Sequence, residues 1–182
     1  MHPNVLLDLT TELLREVLSF SQPADAVLSR FFRANRVTDA RERQTLAETT
    51  YAVLRQRPML LHLAQLDGEL PPRAGGSPLV RRLAILGWQG NPGFLRAALT
   101  DHEQAWLARA QAIKSDNLPA KLRHNLPDWL SNPLQEQLGR EFWPLVQVLN
   151  APAPMDLRVN TLKTTRDDAR RALAESGITA TD

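Results

Sequence analysis

Through about residue 150, apolar residues recur at three- and four-residue steps, and no stretch shows the alternation that a half-buried strand needs. The first run sets the pattern. Val5, Leu6, Leu9, Leu13, Leu14, Val17 and Leu18 trace one face of a helix. A second helix is expected after Pro23, with Val27, Leu28, Phe31 and Phe32 turned inward. A third is expected from Thr38, read as its cap, through Leu46, Thr50, Val53 and Leu54, with Pro58 marking a bend or restart before LLHLAQL. Ser77-Pro78, Asn91-Pro92 and Asn132-Pro133 each place a capping side chain ahead of a proline, the order that starts a helix. LPPRAGGSP, residues 70–78, reads as the loosest loop of this half. These features predict an all-α domain over residues 1–149, with eight to ten helices.

The pattern changes at NAPAPMD, residues 150–156, where closely spaced prolines favour an extended connector. MDLRVNTL then reads as a short strand, followed by a helix from Thr164 or Thr165 to Ser176. Asp167 and Asp168 would face the positive end of its dipole and Gly177 would close it. ITATD reads as the opening of a further strand. A β-α-β opening of this size cannot bury its own faces, so residues 157–182 are expected to be the truncated start of an α+β subdomain.

Chemistry is hard to find in this chain. With no cysteine among its 182 residues, disulfide, thiolate-metal and cysteine-nucleophile readings all fall away. His2, His62, His102 and His124 are isolated and show no ligand spacing, so no metal is expected. Asp167 and Asp168 are neighbours on a helix and point about 100° apart, which suits dipole matching better than an acid–base pair. Gly75-Gly76 lacks the spacing and the preceding strand of a cofactor-cradling loop, and no nucleophile elbow or P-loop occurs. No catalytic residue and no bound cofactor are expected. The N-terminal run lacks a basic leader and is interrupted by Asp8 and Glu12, and nothing approaches the length of a bilayer span. A cytoplasmic protein without membrane contact is the expectation.

Charge is the informative signal. The net charge is only +2, yet residues 30–57 carry 7 Arg against 3 acids. On a helical wheel Arg30, Arg33 and Arg36 lie opposite Val27, Leu28, Phe31 and Phe32. Arg41 and Arg55 lie away from the Leu46–Val53–Leu54 face. Because the link from Ala34 to Thr38 is short, the two helices are expected to neighbour one another and join their cationic faces into a phosphate-binding surface. The same charges also suit a solvated amphipathic face, with Asp39, Glu42 and Glu48 pairing with the arginines. The tail adds Arg158, Lys163, Arg166, Arg170 and Arg171; on a strand, Arg158 and Asn160 would share a polar face beside them. Trp88, Trp106, Trp129 and Trp143 sit among leucines, where core packing is the expectation and base stacking the alternative.

The stretch LPDWLSNPLQEQLGREFWPLVQVLNAPAPMDLRVNTLKTTRDDARRALAESGI, residues 126–178, combines P-x-W-L, an amphipathic helix, N-x-P-A-P and L-R-V-N-T-L-K. It resembles the domain junction of bacterial RsmB-type (Fmu/Sun) small-subunit ribosomal RNA cytosine-5 methyltransferases, members of the RsmB/NOP family. ADAVLSRFF and RERQTLAETTYAVLR resemble that family's N-terminal helical domain, which is related to the antitermination factor NusB. The resemblance implies a NusB-like helical bundle followed by the start of an RRM-like subdomain. It further implies small-subunit ribosomal RNA as partner, and a catalytic domain in cis that binds S-adenosylmethionine and carries the nucleophilic cysteine. That domain is not represented in this chain. Arg30, Arg33, Arg36, Arg41, Arg55, Arg158, Asn160 and Lys163 are then the candidate RNA contacts. A protein-interaction or bracing role for the helical module is the alternative.

Overall fold

The computed structural model describes residues 1–66, 78–151, 153 and 155–180, and these divide into two compact units, Met1–Ala151 and Pro152–Asp182. The structure is helical, with no strand among the described residues. The first unit contains α1 (Pro3–Val17), α2 (Ala24–Ala34), α3 (Ala40–Arg55), α4 (Arg57–Ala64), α5 (Pro78–Leu86), α6 (Pro92–Ala98), α7 (Asp101–Ala112), α8 (Ala120–His124), α9 (Asp128–Leu138) and α10 (Phe142–Asn150). None of these helices is long and apolar enough to cross a membrane.

The organising element is α1, which packs against α2, α3, α5 and α6. It can do so because it carries two apolar stripes at seven-residue spacing. Leu7 and Leu14 enter one core with Val53, Leu60, Leu83, Ile85, Leu99 and Trp106. Leu6 and Leu13, joined by Val17, enter a second core with Val27, Leu28, Phe31 and Leu46. Each fully buried leucine contributes about 1.5–3 kcal/mol relative to exposure. The threonines between these stripes are also buried, and their hydroxyls donate to backbone one turn back: Thr10 to Leu6 at 2.7 Å and Thr11 to Leu7 at 2.8 Å. Val5, placed on the inner face by periodicity alone, is instead 47% exposed.

Local chemistry decides where the helices start. Asp39, not Thr38, caps α3: its carboxylate accepts from the Glu42 N–H at 2.8 Å while Glu42 accepts from the Asp39 N–H at 2.9 Å. Thr38 is occupied with the preceding turn, donating to the Asn35 carbonyl at 2.8 Å. Pro58 restarts the chain as α4, and Asn91 caps α6 by accepting from the Phe94 N–H. Asn132-Pro133 does not start a helix. Leu130 and Ser131 already donate to the Pro127 carbonyl, so α9 begins at Asp128 and Pro133 falls within it. Proline there leaves the Trp129 carbonyl without its helical donor. Both residues are exposed, so water can take that donor's place. The Ser77 cap, the 70–78 loop and Gly75-Gly76 lie outside the described residues, apart from Pro78, which opens α5.

The end of this unit is joined to α4 by a left-handed residue. Asn125, at φ 55°, accepts from the Met59 N–H through Oδ1 at 3.2 Å and reaches Asn150 through Nδ2 at 3.4 Å. Asparagine tolerates this conformation because its short polar side chain can bond locally.

In the second unit the expected strand over residues 155–162 is not formed. Asn160 instead organises a turn: Oδ1 accepts from the Leu162 N–H at 3.1 Å and its carbonyl from the Lys163 N–H at 2.9 Å. A strand exists only through ladder bonds to a neighbour, and among the described residues none pairs with this stretch. Residues 178–180 are likewise not strand, and Pro152 and Pro154 of the connector lie outside the described residues. The helix is formed as expected: α11 (Arg166–Glu175) is capped by Thr165 and has Asp167 and Asp168 in its first turn. Its end is a Schellman closure, with Gly177 at φ 78°, its N–H bonded to Ala174 and that of Ile178 to Leu173, both at 2.9 Å.

Candidate nucleic-acid interface

The α2–α3 corner is where the cationic residues of the helical unit concentrate. Phe31 and Val27 are anchored in the second core, which turns the other side of α2 to solvent. Arg33 lies in the last turn of α2, Arg36 in the connection, and Arg41 in the first turn of α3; all three are exposed. None has an ion-pair or hydrogen-bond partner among the described residues. The acids expected to neutralise them are otherwise engaged. Asp39 and Glu42 form the capping box, Glu42 also meets the Met1 amine at 2.7 Å, and Glu48 accepts from Gln44 at 2.8 Å. The Met1 amine is held more basic than usual by its hydrogen bond to Glu42 and that carboxylate's charge.

The other sequence candidates are placed differently. Arg30 is exposed but tied down, donating to Glu16 at 2.8 Å and to Gln22. Arg55 is half-buried, and its Nε is shielded from water with no acceptor. It therefore does not present an open outer face. Helix α2 ends at Ala34, so the wheel angle assigned to Arg36 does not apply. The helices α2 and α3 share the second core but each packs chiefly on α1, and direct packing of one on the other is not the main contact. Arg158, Asn160 and Lys163 are exposed in the second unit, on turn-rich backbone and not on a strand face.

Beside Arg41 the surface opens into a groove of about 660 Å³, lined by Arg41, Gln44, Glu48, Trp88, Asn91 and Phe94 among others. Trp88 donates its indole N–H to the Asn91 carbonyl at 3.3 Å, and Asn91 spends Oδ1 on the α6 cap. Gly90 makes the tight wall possible: a Cβ there would come within 2.8 Å of both Thr45 Cγ2 and Trp88 Nε1. The sequence alone does not single out this groove, because its residues come from the N-terminus and α1, α3, the α5–α6 link and α6, and only packing brings them together.

The tryptophans divide. Trp106 is fully buried, and Trp88 and Trp143 are half-buried. Trp129 is 75% exposed on α9, against the expectation of core packing. His124 is buried against Phe142, ring centroids 5.8 Å apart, and accepts from the Leu126 N–H through Nδ1 at 3.0 Å. Burial holds its imidazole less basic than usual. It is a satisfied core histidine.

Residues 126–182 match the sequence family described as the ferredoxin-like domain of RsmF/B-like methyltransferases. The chain is similar to the ribosomal RNA small subunit methyltransferase B of Photorhabdus laumondii, 23% identical over 96% of this chain and 45% of the relative. It is also similar to the protein of that name from Xylella fastidiosa strain Temecula1, 26% identical over 78% of this chain and 36% of the relative. A third relative, the probable ribosomal RNA small subunit methyltransferase B of Synechocystis, is 26% identical over 67% of this chain and 27% of its own length. No solved structure matches. The chain spans less than half the length of these relatives. Residues 126–182 thus match the ferredoxin-like domain of RsmF/B-like methyltransferases, and the chain as a whole is similar to ribosomal RNA small subunit methyltransferase B proteins.

Proposed function

We propose that the helical unit is a NusB-like RNA-binding module that positions small-subunit ribosomal RNA for a cytosine-5 methyltransferase, in the cytoplasm. One observation carries this reading: Arg33, Arg36 and Arg41 lie exposed around the α2–α3 connection, while the Asp39 and Glu42 carboxylates beside them are committed to the capping box and the Met1 amine. Guanidinium groups in that state are available to phosphate, and phosphate contacts fix register on RNA without reading sequence. In this reading the stretch from residue 157 onward opens an RRM-like subdomain, with Arg158 and Lys163 adding to the basic surface. Its missing order as strand reflects unpaired edges.

The chemistry belongs, in this reading, to family sequence not represented here. In this reading S-adenosylmethionine is held by that part of the family sequence and not by this chain. The chain also offers no cysteine for attack on cytosine. The role left to this chain is binding and orientation.

The test is charge reversal of Arg33, Arg36 and Arg41 to Glu, followed by affinity for a small-subunit ribosomal RNA hairpin. A folded triple variant that binds as the wild type does overturns the proposal. A second reading, a protein-docking or bracing module, is favoured by a different observation: Trp129, Val148 and Leu149 are exposed on α9 and α10. Unchanged RNA affinity in the triple variant, together with a protein partner lost on Trp129→Ala, would support it.

A further inference from the structure

We infer that the groove beside Arg41 seats a single unpaired nucleobase of the RNA, and that it prefers a base bearing an exocyclic amine. The inference rests on the RNA-binding reading above and deepens it, since phosphate contacts at Arg33, Arg36 and Arg41 would bring the strand to the groove's edge. An unpaired base needs an apolar surface to stack on and hydrogen-bonding groups for its edge. The groove supplies both. The rings of Trp88 and Phe94 are half-buried in its wall, held by the second core and by the bond from Trp88 to the Asn91 carbonyl. Its polar lining is only partly used. Gln44 spends its amide N–H on one oxygen of Glu48, which leaves the other Glu48 oxygen and the Gln44 Oε1 as acceptors. Asn91 spends Oδ1 on the cap and keeps its Nδ2 donors.

Two acceptors side by side, one of them charged, favour an amino group on the base. A carboxylate accepting from cytosine N4 is an established readout chemistry. A uracil would set a carbonyl oxygen against the Glu48 carboxylate, acceptor against acceptor. The other carboxylates of the lining, Asp39 and Glu42, are held by each other's backbone N–H groups and by the Met1 amine, so Glu48 is the acid left to read the base.

Binding of the full chain to short oligocytidine and oligouridine, followed by fluorescence anisotropy at one fixed salt concentration, tests this. Oligocytidine should bind about tenfold more tightly, the effect of one discriminating base contact. Glu48→Gln, an isosteric change at an exposed residue, should abolish that ratio. The Arg33, Arg36 and Arg41 reversal should weaken both oligomers together and keep the ratio. Equal affinity for the two oligomers in the wild-type chain, or an undiminished ratio in Glu48→Gln, would overturn the groove assignment and leave the phosphate reading standing. Failure of both oligomers and of the ribosomal hairpin to bind would overturn the two together.

Discussion

The guanidinium of Arg82 lies over the ring of Trp106, 4.5 Å from its centroid, in the middle of the larger core. Only 6% of Arg82 is exposed. The same side chain donates to the carbonyls of Ala64 at 2.7 Å and Leu66 at 3.0 Å, closing the end of α4. Helix α5 thereby holds α4 and α7 in one place, and the planar fork is what lets one residue stack and donate at once.

Replacing Arg82 by Ala should therefore cost about 3 kcal/mol, read from the urea midpoint, because the buried Ala64 carbonyl and the part-buried Leu66 carbonyl lose this donor along with the stacking. Arg82→Lys should recover only part of the loss. A lysine variant as stable as the wild type would show that charge alone suffices.

His124 makes stability fall with acid. Its Nδ1 accepts from Leu126 N–H, so the native state needs the neutral ring, and burial lowers its affinity for a proton. The unfolded chain binds the proton first, so stability is complete above the ordinary histidine range near pH 6.5 and declines as pH drops from there through the lowered native value. Glu103 acts at lower pH. Burial pushes its carboxyl up, but hydrogen bonds from Arg81 and from the Thr100 N–H outweigh this and hold it down, so its contribution is lost only in stronger acid. Melting temperature against pH should show the first decline, and His124→Gln should remove it; an unchanged profile in that variant would contradict the assignment.

Gly87 follows α5 and lies against α3. A Cβ there would run into Val53 Cγ2 and lie 3.2 Å from the Leu83 carbonyl oxygen. Gly87→Ala should destabilise by about 1–3 kcal/mol through overpacking, and Val53→Ala should offset part of that loss in the double variant. Additive effects in a thermal-melt double-mutant cycle would argue against the contact.

The helices were legible because α1 and α2 repeat apolar residues at helical spacing, and the Asn91 cap and Gly177 closure follow from local chemistry that neighbours did not override. Other features were settled by contacts that sequence does not display. Asp39 wins the α3 cap from Thr38 because Glu42, three residues on, completes a reciprocal pair. Pro133 loses its role as a starter because Pro127 opens the helix first. The strand expected over residues 155–162 required a partner, which periodicity cannot supply. Of the site, the availability of Arg33 and Arg41 could be read from the wheel. The engagement of Arg30 by Glu16 and the shielding of Arg55 could not, since both depend on where other helices pass.

Trp129 is exposed, so Trp129→Ala should change stability by no more than about 0.5 kcal/mol, whereas Phe142→Ala, fully buried in the adjacent helix, should cost about 3–5 kcal/mol. Urea denaturation of the two variants checks this. Comparable losses would mean that Trp129 is packed in solution.

The central claim is that Arg33, Arg36 and Arg41 bind RNA phosphate, and the most direct measurement is the affinity of the chain for a small-subunit ribosomal RNA hairpin across a salt series, in wild type and in the triple reversal. Wild-type affinity should fall steeply with salt, and the variant should bind more weakly with a slope shallower by about 2 to 3. Equal slopes in the two proteins, or wild-type binding indifferent to salt, would contradict it.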